Sequence, residues 1–309
     1  MGWFAKTKLH KIRDNGKSKV IIFIHGFTGD PYKTWKQDNS PKGLIELVKL
    51  DDELEDFDIY TFGYRTGFFG KQYDFKTVAN LLHTEIAARM PEKEVVFITH
   101  SHGGIVAQQY VVFLSDKQEQ KTKNIKGIIY LAVPFSGTIG GTFIGFFNQQ
   151  AKAIGVFTEL LNDMHIRWQV NESGMNFSQL LVSGARDGVV SAASSKPAYM
   201  HKSNVEIHDI DTGHVDICKP IDSQDTVYQL IKKFLRNIKS ENASVPPMVD
   251  WVHGIDKQQF AEKYTHLLDW TEYVDFESSP RKLPSSSEWE KELFPQIQEI
   301  ITDWEKNWA

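Results

Sequence analysis

Hydrophobic positions along this chain follow two alternating rhythms. Apolar runs rich in β-branched residues recur at Val20-Ile21-Ile22-Phe23-Ile24, at Val95-Val96-Phe97-Ile98 and, interrupted near its start by Lys126, from Ile125 to Val133. Such a run has no polar face, so it reads as a strand buried on both sides, the environment of a parallel sheet. Asp58 to Phe62, Phe177 to Ser183 and the alternating Val205 to Ile210 read as further strands. Between them the apolar spacing widens to the helical period. Phe75 to Met90 carries Val78, Leu81, Leu82 and Ile86 in this spacing, Ile105 to Leu114 follows, and Thr226 to Ile238 is amphipathic. Strands alternating with helices predict an α/β domain over residues 1–240, with a mostly parallel central sheet and helices on both faces. Ligands of such sheets sit beyond the carboxyl ends of the strands, so the loops there are where chemistry is expected.

One of those loops is sharper than the rest. Val95 to Ile98 runs through Thr99-His100 into Ser101-His102-Gly103-Gly104, and the helical pattern opens at Ile105. A strand that turns directly into a helix, with a serine at the corner, is a nucleophile elbow. The strained turn lifts the hydroxyl above the sheet edge and demands small neighbours two positions away. Gly103 meets that demand; Thr99, where the usual pattern has glycine, meets it in part. Taken alone, the pentad also reads as a Ser/Gly turn capping a helix, and the order of the remaining segments is what favours the elbow. Val20 to Ile24 ends in His25-Gly26-Phe27. Gly26 lets the backbone aim the next amide inward, so the main-chain N–H groups of Phe27 and His102 are the expected oxyanion-hole donors. His25 reads as a structural histidine whose motif works through its backbone. Downstream, the turn-rich Gly184-Ala185-Arg186-Asp187-Gly188 offers Asp187 as the acid, and Asp211-Thr212-Gly213-His214 offers His214 as the base. Asp209, Asp211 and Asp216 lie nearer to His214 in sequence, but Asp187 has the turn residues that present a side chain at a strand's end. The order Ser101, Asp187, His214 is one of the known chain orders of the serine triad.

These segments carry a resemblance. The chain looks like an α/β-hydrolase of the lipase/esterase type. It is similar to serine-active-site esterases and GPI inositol-deacylase-like proteins, in which a His-Gly turn, a His-Ser-x-Gly-Gly elbow and a Pro-x-x-Gly segment (here Pro134-Phe135-Ser136-Gly137) recur. The run His214 to Pro220, followed by Asp225 and an amphipathic helix, also resembles the end of those domains. The resemblance covers residues 5–240 in outline. It implies a serine hydrolase that cleaves carboxylic esters through an acyl-enzyme, with no cofactor. A fold of this kind does not name its substrate.

Two stretches exceed that minimal fold. Residues 134–176 occupy the usual place of a cap or lid. From Val133 to Ala151 no residue is charged; the stretch reads either as an acyl pocket or lid lined by Phe143, Phe146 and Phe147, or as a buried helix that covers the sheet edge. The first reading points to a lipid or phospholipid substrate and to transient contact with a membrane surface. A second aromatic loop, Phe62 to Phe69, is expected as the opposite rim. After the hinge-like Ser244-Val245-Pro246-Pro247, residues 241–309 hold five of the eight tryptophans. This segment reads as a Trp-rich helical appendage, too small to fold readily alone, that docks on the hydrolase or on a protein partner.

Composition narrows the classes further. A net charge of −5 without a basic cluster argues against nucleic-acid binding. A single cysteine, Cys218, forms no internal disulfide and favours a reducing, cytoplasmic location. The start Met-Gly-Trp-Phe has no apolar signal-peptide region, and no apolar run is long enough to span a bilayer. No spacing suggests a metal ion or a nucleotide. The competing readings are a thioesterase or peptidase, and a catalytically idle hydrolase fold that acts as an interaction module through its tail.

Overall fold

The architecture comes from a computed structural model, which describes residues 7–38, 40, 42–65, 74–116, 122, 124–135, 161, 163–168, 177–190, 195, 197 and 203–240. The chain divides into two units, residues 1–244 and 245–309. The Trp-rich tail lies outside the described residues, as do Phe143, Phe146 and Phe147.

Seven strands form one sheet: β1 (Lys8–Arg13), β2 (Lys19–Ile24), β3 (Phe57–Gly63), β4 (Glu94–His100), β5 (Ile125–Leu131), β6 (Ser178–Gly184) and β7 (Val205–Ile210). Their spatial order is β1-β3-β2-β4-β5-β6-β7. β1 runs antiparallel to β3, and every other pairing is parallel. The described helices include α1 (Leu44–Leu50), α2 (Phe75–Arg89), α3 (His102–Asp116) and α4 (Thr226–Ser240).

Strand parity sorts the core into two layers, because successive side chains leave opposite faces of a sheet. Val20, Ile22 and Ile24 of β2, with Val95 and Phe97 of β4, pack against α2 and α3. Ile21 and Phe23, with Val96 and Ile98, pack against α1 and α4. The helices therefore cover both faces, which explains why the strands contain no polar stripe. On α4 the buried residues Val227, Tyr228, Ile231, Phe234, Leu235 and Ile238 form a single stripe, and Asp225 caps the helix by accepting from the Val227 N–H at 3.0 Å. Gly127 of β5 lets α4 approach closely: a Cβ there would stand 2.6 Å from Ile238 Cδ1.

Two elements escape the hydrophobic pattern. β1 alternates Leu9 and Ile12 with lysine and arginine on a half-exposed edge, where charge discourages pairing with another chain. α1 has seven residues, too few for a period to emerge, and the Glu46 carboxylate caps it by accepting from the Gly43 N–H at 3.0 Å. The expected aromatic rim is revised in its first half, while Phe68 and Phe69 lie outside the described residues. Phe62 and Tyr64 are buried core residues, because Phe62 lies within β3 and Tyr64 packs directly beyond its end. Within the 134–176 insertion, Phe135, Leu161, Met164 and Trp168 pack into the α2/α3 layer. Ion pairs Lys76–Asp163 at 2.8 Å and Arg167–Asp116 at 2.6 Å tie residues 163–168 to α2 and α3.

The strand order reverses at β2. The chain passes from β2 to β3 on one side, then crosses to β4 on the other. Adjacent loops diverge at such a switch point and leave a crevice beyond the strand ends. His25-Gly26-Phe27 and Ser101 emerge on either side of it.

Candidate active site

Ser101 stands between the last residue of β4 and the first of α3, with φ +52°. A left-handed conformation is uncommon for a residue with a side chain and marks a strained turn. Two main-chain bonds hold it: Ser101 N–H donates to the Leu131 carbonyl at 2.9 Å, and the Ser101 carbonyl accepts from Gly104 N–H at 3.0 Å. The small residues around the corner have a steric origin. A Cβ on Gly103 would stand 2.3 Å from the Ile24 carbonyl oxygen and 2.6 Å from that of His25. The first turn of α3 therefore rests directly on the main chain at the end of β2. A Cβ on Gly26 would meet the Ser101 Cβ at 2.9 Å. Thr99 is accommodated because its buried hydroxyl donates to the Ile129 carbonyl at 2.8 Å, which leaves no unpaired polar atom.

The loops after β6 and β7 bring Asp187 and His214 to this corner. His214 Nε2 lies 3.0 Å from Ser101 Oγ, and His214 Nδ1 lies 2.7 Å from Asp187 Oδ2. A carboxylate can only accept, so Nδ1 carries the ring proton and leaves Nε2 free to take one from the serine. Asp187 Oδ1 accepts from the N–H groups of Val189 and Val190, each at 2.8 Å. The carboxylate side chain is 1 % exposed. Burial by itself raises the Asp187 carboxyl, but hydrogen bonds from His214, Val190 and Val189 outweigh it and hold the group below its usual range. The two loops are also joined to each other. Arg186 N–H donates to the Thr212 carbonyl at 3.0 Å, and Arg186 Nε donates to Asp211 Oδ1 at 2.7 Å. The neighbouring carboxylates are engaged elsewhere, Asp209 with Ser183 and Asp211 with Arg186, and Asp216 is exposed.

Phe27 and His102 come together across the crevice, with ring centroids 6.5 Å apart. The turn that carries Phe27 is tight: Gly29 N–H donates to the Gly26 carbonyl at 3.1 Å, with Thr28 at φ +57°. His25 is fully buried, its Nδ1–H donating to the Gly26 carbonyl at 2.9 Å. Burial pushes its imidazole down to about 4, so it stays neutral.

Two residues of this region make bonds that their places in the sequence do not indicate. Tyr64 donates its hydroxyl proton to the His25 carbonyl at 2.6 Å and stacks on the His25 ring at 4.4 Å. His100, next to the serine, donates from Nε2 to the His214 carbonyl at 2.8 Å. The Cys218 thiol is buried and pushed up to about 12 by desolvation; it donates to the Thr34 and Val215 carbonyls, each at 3.2 Å. It therefore ties two loops together and is no nucleophile. A buried hydroxyl bonded to an imidazole, itself oriented by a carboxylate, is the arrangement that activates serine toward acyl carbon.

Residues 14–180 match the family described as "Putative serine esterase (DUF676)". The human protein SERAC1 is 25% identical over 255 residues, covering 70% of this chain and 38% of the human protein. Its zebrafish (Danio rerio) counterpart is 22% identical over 266 residues, with the same coverage of 70% and 38%. The chain thus spans well under half the length of these relatives. Among solved structures, the chain is similar to a monoacylglycerol lipase from Paleococcus ferrophilus, with TM-score 0.53 and 12% identity over 76% of this chain and 100% of that one. It is also similar to a lipase-esterase related protein from Clostridium acetobutylicum, with TM-score 0.50 and 13% identity over 76% and 100% of the two chains. These likenesses establish the α/β-hydrolase fold.

Proposed function

The chain belongs to the DUF676 serine esterase family, and from that premise we propose that it hydrolyses carboxylic esters through an acyl-enzyme formed on Ser101. The observation that carries this reading is the continuous hydrogen-bonded path from Ser101 Oγ to His214 to Asp187, at 3.0 and 2.7 Å. These three residues come from three separate loops, and packing alone does not require their polar atoms to align. In the proposed mechanism Ser101 Oγ attacks the acyl carbon while His214 Nε2 takes the hydroxyl proton. Asp187 holds the ring in the required tautomer and stabilises the imidazolium. The main-chain N–H groups of Phe27 and His102 receive the developing oxyanion, each contributing about 3 kcal/mol of barrier lowering. His214 then delivers its proton to the leaving alkoxide. Water repeats the sequence on the acyl-enzyme and releases the carboxylic acid.

The experiment is labelling of the full chain with a fluorophosphonate. The expected outcome is one adduct on Ser101, absent from Ser101→Ala. An unlabelled native protein, or an adduct elsewhere, would return the fold to a non-catalytic interaction role.

The proposed substrate is a lipid or phospholipid acyl ester, on the strength of the uncharged aromatic stretch around Phe143, Phe146 and Phe147. A chain buried in an acyl pocket gains about 0.8 kcal/mol per methylene, whereas an acetyl group has almost nothing to bury. Phe146→Ser with Phe147→Ser should therefore depress turnover of long-chain esters far more than that of acetate esters. Equal losses on both would make the enzyme a general esterase.

A further inference from the structure

We infer that His100 is a positioning residue for this site: its Nε2–H fixes the main chain of His214 and so sets where the base stands relative to Ser101. The inference rests on His214 being the base, as proposed above. His100 ends the strand that delivers the serine, and its side chain is buried, 7 % exposed. Its Nε2 lies 2.8 Å from the His214 carbonyl oxygen, and the two imidazole rings are 5.0 Å apart. The other ring nitrogen faces the oxyanion turn: a Cβ on Gly26 would stand 3.3 Å from His100 Nδ1. A carbonyl only accepts, so the proton sits on Nε2 and the lone pair on Nδ1. One neutral imidazole is thus wedged between the turn carrying Phe27 and the loop carrying His214, on the strand carrying Ser101.

The His214 loop is tied at other points as well: Arg186 N–H donates to the Thr212 carbonyl at 3.0 Å, and His214 Nδ1–H donates to Asp187 at 2.7 Å. Cys218 offers a thiol donor, and the Arg186–Asp211 pair is exposed, with side chains 70 % and 84 % accessible. The bond from His100 is made by a buried side chain to the main chain of the base residue itself. Displacing a catalytic group by about 1 Å costs on the order of 100-fold in rate, so loss of this bond reaches the chemistry without touching substrate.

The test compares three variants of the full chain on a soluble short-chain ester. His100→Phe keeps the ring and removes both nitrogens. His100→Gln places an amide N–H near the Nε2 position, and His100→Asn carries an amide too short to reach the His214 carbonyl. The expected result is a 10- to 100-fold fall in kcat for His100→Phe with KM within about twofold, in line with the cost of a misplaced group. Most of the loss should be recovered in His100→Gln and not in His100→Asn. Native kcat in His100→Phe, or equal activity in the Gln and Asn variants, overturns the inference. The Gln–Asn comparison decides the matter even where His100→Phe does not fold. A second measurement needs no turnover: the proton NMR signal of His214 Nδ1–H in its bond to Asp187. It should move or vanish in His100→Phe and His100→Asn, and persist in His100→Gln. An unchanged signal in all three overturns the inference. A native protein that neither turns over ester nor reacts at Ser101 overturns the proposed function instead, and the NMR comparison still judges His100.

Discussion

Ser101 holds a backbone conformation that L-residues avoid, at φ +52°. Left-handed geometry costs a residue with a Cβ about 1–2 kcal/mol, and glycine escapes it. The strain at Ser101 is one that glycine would relieve, and the proposed role of the hydroxyl gives a reason for serine there. Ser101→Ala should lower kcat by about 10⁶-fold and leave stability near native, because the Cβ and its strain remain. Ser101→Gly should be as inactive yet about 1 kcal/mol more stable than Ser101→Ala in urea unfolding. A Gly variant less stable than the Ala variant would show that the turn is unstrained. The carboxylate makes a second residue-scale case. Asp187→Asn keeps the shape but offers Nδ1 a donor in place of an acceptor, so His214 adopts the wrong tautomer. Turnover should fall by about 10⁴-fold, while Asp211→Asn, which loses an exposed partner of Arg186, should stay near native. Reversal of that order would assign the orienting role to Asp211.

Among the elements, the elbow is a docking problem as much as a turn. α3 begins one residue after Ser101, and its first turn presses on the Ile24 and His25 carbonyls through Gly103. Those oxygens are main-chain atoms at the end of β2 and just beyond it, and cannot retreat as a flexible side chain would. Gly103→Ala should therefore cost about 3 kcal/mol or more, at the upper end for overpacking, and should remove activity with it. Gly188, where an added Cβ meets nothing within 4 Å, is the control. Gly188→Ala should be neutral or stabilising by up to about 1 kcal/mol. Equal melting losses for both would mean that α3 does not bear on β2. The same contact explains which elements the amino-acid pattern reveals. β2, β4 and β5 are buried on both faces, so polar residues are confined to their ends and their centres are legible as apolar runs. β1 sits on an edge with one face wet, and its lysines and arginine mask it.

At the scale of the molecule, the site is built around imidazoles that folding keeps neutral. Burial pushes His25 down to about 4 and His100 down to about 3, from an ordinary 6.5. Both folded values lie below the unfolded one, so the unfolded chain binds more protons in the interval between them. The stabilisation is whole above pH 6.5 and is lost progressively as the pH falls toward 4 for His25 and toward 3 for His100. Each group contributes a slope of about 1.4 kcal/mol per pH unit, so the pair should contribute about 3 kcal/mol per unit near pH 5. Urea midpoints measured from pH 7.5 to 4.5 should fall steeply, and His100→Gln should lessen the slope by about 1.4 kcal/mol per pH unit, with buried His102, also held down to about 4, supplying part of the remainder. Asp187, depressed below its ordinary 3.8, adds its own loss only at still lower pH. A flat profile over that range would mean that the two histidines are accessible to protons in the folded protein.

What the amino-acid order determines by itself is local: which segments are strands, where the chain turns sharply, and which chemically able residues end each loop. Ser101, Asp187 and His214 are visible in this way because each closely follows a strand pattern, apolar or alternating, and sits among turn residues, signals written within a few positions. What the tertiary structure decides is their company. Ser101 and His214 are 113 positions apart, and they meet because β6 and β7 follow β5 across the sheet, an order set by packing on both faces. The same assembly turns Phe62 and Tyr64 from an expected rim into core, and sets His100 and Tyr64 against the main chain of two histidines. A side chain that acts through a distant carbonyl leaves no mark on its own neighbours in sequence, because the partner is chosen by the fold and the bond is made to an atom every residue possesses.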